Sequence, residues 1–112
     1  MLSYINFAGM QMKPLLFNLI NKTILPLNDI TINITAGDKF GISFDNTPFK
    51  NYFLLVTSVT FTSFNKLSNK DMFDCGFVYK PSFNSFLKDY RNVDKDSSIV
   101  KLDFKIVERD NL

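Results

Sequence analysis

The chain has no histidine and no tryptophan, and Cys75 is its one cysteine. Without histidine neither a Ser-His-Asp nor a Cys-His relay can be assembled, so any hydrolytic chemistry falls to Lys, Asp, Glu, Tyr or Thr. Structural zinc sites draw on several Cys and His ligands, so no metal is expected, and no cofactor motif is present. A lone cysteine closes no internal disulfide, and Cys75 reads as a small buried hydrophobe. Long hydrophobic runs are missing too. No window approaches the roughly 18 to 20 apolar residues of a membrane span, and Met1 to Ala8 carries neither the basic start nor the extended apolar stretch of a secretory leader. A cytoplasmic location without a membrane partner is the expectation. Charge of one sign is scarce as well: 13 basic against 11 acidic residues leave a net charge of +2. Such mild basicity permits nucleic-acid binding without the clustered footprint that argues for it.

What the chain does have is apolar bulk. Hydrophobic residues make up 46% of its 112 positions and 13 of them are phenylalanine, enough for a packed core in one domain spanning 1–112. Tyr4 to Ala8 reads as a short strand broken at Gly9. Pro14 suits a first helical turn, and Leu15, Leu16, Leu19 and Ile20 form a stripe for a helix ending near Lys22, where a cation also favours the helix terminus. Thr23 to Leu27 has strand character up to Pro26. Ile30, Ile32 and Ile34 alternate with polar residues, as an edge strand or an extended loop.

Gly37-Asp38 marks a tight turn, since glycine supplies a positive φ and the neighbouring Asp can accept local amides. Phe40, Ile42 and Phe44 then alternate with Lys39, Gly41 and Ser43. Asp45-Asn46-Thr47-Pro48 is a turn cluster, and one long strand is predicted over Tyr52 to Thr62, its first half buried on both faces. Ser63 is placed as the cap of a helix carrying Phe64, Leu67 and Met72 and ending at Gly76. Pro81 opens a second helix with Phe83, Phe86, Leu87 and Tyr90 on one side, and Val100, Leu102, Phe104 and Ile106 define a closing strand. The fold class is α+β, with two helices inserted between the last two long strands. Lys66, Lys70, Lys80, Lys88 and Arg91 lie near Tyr79 and Tyr90 in the inserted region. Asp71, Asp74 and Asp89 dilute that basic group, so it reads as a solvated face.

The order of these pieces carries a resemblance. An apolar helical turn leading into Lys22-Thr23, then Ile34-x-x-Gly37-Asp38 opening an alternating strand, resembles the start of the ASCH domain, a small PUA-like β-barrel associated with RNA. The resemblance continues through Val56 to Val59, Phe64 to Leu67, Gly76-Phe77, the Phe83 to Tyr90 helix and the terminal strand. It implies a small PUA-like barrel or strongly bent mixed sheet with flanking helices. Small bacterial members are amidohydrolases acting on acetylcytidine through a Lys, a Thr and a Glu. Lys22 matches the Lys, Leu25 stands at the Thr, Leu27 stands where an Arg usually follows, and Asp74 lies near the place of the Glu. The implied function is a non-catalytic module binding a nucleotide or RNA segment, with Lys22, Thr23, Leu25 and Asp38 as ligand contacts. Two alternatives are kept. One is an amidohydrolase of acylated cytosine nucleosides using Lys22 as nucleophile or base, Thr23 as oxyanion donor and Asp74 as acid/base partner; with Leu25 and Leu27 in place, no measurable activity is expected. The other is a protein-interaction or inhibitor domain marked by exposed Phe side chains.

Overall fold

The computed structural model describes residues 3–109. Met1 and Leu2 of the segment read for a leader, and the last three residues of the predicted 1–112 domain, lie outside the described residues. Five strands form one mixed sheet in the order β1-β3-β4-β5-β2: β1 Tyr4–Phe7, β2 Lys22–Pro26, β3 Lys39–Phe44, β4 Thr47–Ser63 and β5 Ser98–Glu108. β1 runs parallel to β3 and every other pairing is antiparallel. A short helix α1 (Met12–Leu16) joins β1 to β2. Helices α2 (Asn69–Asp74) and α3 (Lys80–Arg91) lie between β4 and β5, as predicted. The sheet curls into a half-barrel, so the α+β expectation holds.

β4 explains the curl. Thr47 to Leu55 pair with β3 and Tyr52 to Ser63 with β5, and register shifts at Gly41/Ile42 and at Val56/Ser58 bend both ladders. The Val56 bulge is used: Val56 exchanges backbone hydrogen bonds with Gly37 and Asp38, docking the Gly37-Asp38 turn against the bend. β4 begins five residues earlier than the predicted Tyr52, because only Asp45 and Asn46 form the turn. Both have positive φ (48° and 66°), as a two-residue hairpin of matching twist requires, and the strand resumes at Thr47. β2 lies at the sheet edge, which accommodates the missing N–H of Pro26.

Two clusters fill the interior. Ile5, Phe7, Leu15, Ile42, Phe44, Leu54, Val56, Leu102 and Phe104 pack inside the curl. Ile24, Met72, Phe83, Phe86, Leu87 and Ile99 pack between the sheet and the inserted helices. The alternation along β5 therefore sorts side chains between two cores, with Val100, Leu102 and Phe104 inside the curl and Ile99 under the helices.

Three local expectations are corrected. The first helix stops at Leu16 rather than near Lys22: Asn18 takes a left-handed conformation, and the N–H groups of Leu19 and Ile20 both turn back to Pro14 O. Leu19 is consequently exposed and Lys22 opens a strand. The helix cap is Ser68, not Ser63, which still belongs to β4; Ser68 Oγ accepts from Asp71 N while Asp71 Oδ2 accepts from Ser68 N, a reciprocal capping box. Ile30 to Ile34 form a 3₁₀ turn because Asn28 Oδ1 accepts from the N–H groups of Ile30 and Thr31.

Candidate functional site

Lys22 and Thr23 are adjacent on β2, so their side chains leave opposite faces of the sheet. Lys22 faces the inserted helices. Its Nζ lies 2.8 Å from Asp71 Oδ1, 3.6 Å from Asp74 Oδ2 and 3.8 Å from Asp103 Oδ1, with the side chain 13% exposed. Lys101 Nζ adds a second cation 3.3 Å from Asp71 Oδ1. Burial alone would lower the Lys22 pKa, but the hydrogen bond to Asp71 and the three carboxylates outweigh it and raise it above the ordinary lysine value. Asp71 moves the opposite way. Burial opposes its charge, yet Lys22, the Ser68 amide and Lys101 together hold it well below the usual carboxylate range. At neutral pH this is a salt-bridged cluster with a fully protonated lysine.

Thr23 is buried, and its Oγ1 accepts a hydrogen bond from Arg91 Nε at 3.2 Å. Arg91 is the last residue of α3, and the left-handed Asn92 ends the helix there. It is only 5% exposed. Its Nη1 donates to the backbone oxygens of Asn6, on β1, and of Tyr90. Its guanidinium carbon sits 5.0 Å from the Phe7 ring centre and 4.9 Å from that of Phe86. Arg91 thus fastens β1 to β2, the two strands at opposite edges of the curled sheet. Burial lowers its pKa to about 10, which leaves it cationic at neutral pH. Among the described residues no carboxylate lies within salt-bridge distance of it, and Nη2 is buried without a hydrogen-bond partner.

A cavity of about 340 Å³ opens along this seam. Tyr4 and Asn6 line it from β1, Leu25 from β2, Phe40 from β3, and Tyr90 and Arg91 from α3; residues of the Asn28 to Ile34 loop complete the lining. Its volume falls within the lower range of small-ligand pockets, and a few polar groups converge in a largely apolar wall. Tyr90 is held by a 2.9 Å hydrogen bond to Asp45 Oδ1, and Asn6 Oδ1 is occupied by Ser43 Oγ and Asn46 N, so the wall is ordered from behind.

The predicted site residues therefore separate. Lys22 and Asp74 meet in the charged cluster, and Asp74 also pairs with the exposed Lys70 at 2.9 Å. Thr23 points to the other face, beneath Arg91. Leu25 alone lines the seam cavity. Asp38 stands in its turn, accepting from Thr35 N at 3.0 Å. Two residues placed on a solvated face are buried, Asp71 and Arg91. The first was announced by Ser68-x-x-Asp71 at capping spacing. The second was announced by Phe83, Leu87 and Arg91, whose spacing of four puts the arginine on the apolar face of α3.

Among the described residues no group of three or more His, Cys, Asp or Glu side chains is arranged to hold a metal ion, and no helix is long and apolar enough to cross a membrane. The bent mixed sheet with two helices inserted before its last strand is an α+β fold similar to that of a solved ASCH domain. No family model and no curated protein matches the sequence. Solved structures do match the fold. A crystal structure of an Enterococcus faecalis protein of the DUF984 family superposes with a TM-score of 0.68 at 16% identity, over 96% of this chain and 82% of that one. The ASCH domain from Lactobacillus crispatus gives 0.64 at 11% identity, over 96% and 81%. The hypothetical protein PH0355 gives 0.67 at 13% identity, over 96% and 100%. At these identities the likeness is one of fold.

Proposed function

We propose that this protein is a non-catalytic binding module whose seam cavity accepts the base of a nucleotide or of a single-stranded RNA segment. The observation that carries the reading is the cavity itself: a concavity of ligand size, walled by Tyr4, Phe40 and Tyr90 and bordered by Asn6 and a buried arginine. Aromatic rings offer stacking faces to a planar base, worth about 1–3 kcal/mol per stacked base, and a neighbouring cation suits a phosphate. The arrangement of Lys22 supports a binding role over hydrolysis. A lysine acts as nucleophile or base when its pKa is depressed, whereas three carboxylates hold this one protonated. Thr23, the proposed oxyanion donor, is engaged by Arg91 on the opposite face.

Calorimetric titration with modified nucleosides and short single-stranded RNA at low salt tests the reading. Saturable binding is expected; its absence would end it. Assaying acetylcytidine hydrolysis with wild type and Lys22→Ala addresses catalysis, and equal background rates are expected. A protein-interaction role has one specific observation in its favour, the exposure of Phe17, Leu19, Phe73 and Val78. It moves forward if neither nucleosides nor RNA bind.

A further inference from the structure

The guanidinium of Arg91 is an unfinished pairing. A buried cation is ordinarily matched by an anion and its donors by acceptors, because the interior penalises whatever is left open. Arg91 has neither match completed. Nε is spent on Thr23 in β2 and Nη1 on the Asn6 carbonyl in β1. In the planar fork Nη2 lies between those two donors, buried and unpaired, and Arg91 is among the residues that line the cavity between the edge strands. The flanking Phe7 and Phe86 rings favour the charge but accept no conventional hydrogen bond from Nη2.

We propose that the seam cavity recognises the phosphate of its ligand through Arg91, so that the preferred ligand is a 5′-phosphorylated nucleoside and not the free nucleoside. This rests on the reading of the cavity as a base-binding site and adds to it the anionic half of the ligand. A phosphate monoester supplies both missing elements, the negative charge and a strong acceptor for Nη2. A neutral carbonyl would supply the acceptor alone. The arginine is held in advance by Thr23 and Asn6 and stacked between two rings, so little side-chain freedom remains to be lost on binding.

The test uses the wild-type protein at low salt. Adenosine, cytidine, guanosine and uridine, their 5′-monophosphates and inorganic phosphate are titrated while the Arg91 Nε–Hε resonance is followed by nitrogen-15 NMR. The expected result is at least one monophosphate binding about ten-fold or more tightly than its nucleoside, competition by inorganic phosphate, and a saturable shift of the Arg91 resonance. Arg91→Lys, which keeps the charge but lacks the fork, should lose most of that preference; the wild-type resonance remains decisive if this variant fails to fold. Nucleosides binding as tightly as their monophosphates, with the Arg91 resonance unmoved, would overturn the phosphate assignment and leave the base-binding reading standing. Phosphate and monophosphates moving the resonance while no nucleoside binds would support the anion site and remove the base. Silence from every ligand would overturn the phosphate assignment and, with it, the reading of the cavity as a mononucleotide site.

Discussion

Replacing Asp71 by Ala breaks three connections at once: the 2.8 Å pair with Lys22, the 3.3 Å pair with Lys101 and the reciprocal cap with Ser68. Loss of the cap costs about 1 kcal/mol. Removing one partner of a buried ion pair costs about 3–5 kcal/mol when the other charge is left alone. Lys22 is not left alone, since Asp74 and Asp103 remain at 3.6 and 3.8 Å, so the ionic part falls well below that range. A total near 3 kcal/mol is expected, which for a chain of this length lowers Tm by roughly 12 °C. Thermal unfolding followed by circular dichroism measures it. Asp74→Ala is the control, because its shortest partner is the exposed Lys70, and it should cost less than about 1 kcal/mol. Equal losses from the two substitutions would refute the ranking of the carboxylates, and with it the placement of Asp71 at the hub of the cluster.

The same pair sets a pH dependence. The folded pKa of Asp71 lies below its unfolded value of 3.8, so its stabilisation is complete above the carboxylate range and is lost as pH falls below about 4, where the wild-type advantage over Asp71→Ala should shrink. Lys22 is shifted upward, so its share persists through neutral pH and fades only as pH rises beyond 10.5. Gly37→Ala meets no atom within 4 Å but must adopt a φ of +98°, so it should destabilise by about 1 kcal/mol in urea titration without altering spectra of the folded state. Burial pushes the Cys75 thiol up to about 12, so a thiol reagent should label it at neutral pH only at the rate of unfolding.

The strand over Val100 to Ile106 was legible because a half-buried strand must alternate, whereas the same alternation over Ile30 to Ile34 belongs to a 3₁₀ turn set by the Asn28 side chain. The four residues of β1 carry no such record of their parallel pairing with β3, which depends on the chain folding back across α1. Lys22 was visible as a chemical residue, but its setting was not. Three carboxylates reach it from α2 and β5, and the sequence separation of 49 between Lys22 and Asp71 hides their contact. Arg91 was hidden differently. An arginine among lysines reads as solvated, and only its phase on the apolar face of α3, together with the gap between two sheet edges it bridges, accounts for its burial. The cavity was beyond the sequence altogether, since it exists between strands at opposite ends of the sheet order.

A residue-resolved NMR titration with a short single-stranded RNA at low salt separates the seam cavity from the charged cluster as the binding region. Saturable shifts are expected at Tyr4, Asn6, Leu25, Phe40 and Arg91, with Lys22 and Asp71 unmoved. Shifts centred on Lys22, Asp71 and Asp74, with the seam residues silent, would contradict the seam-cavity reading.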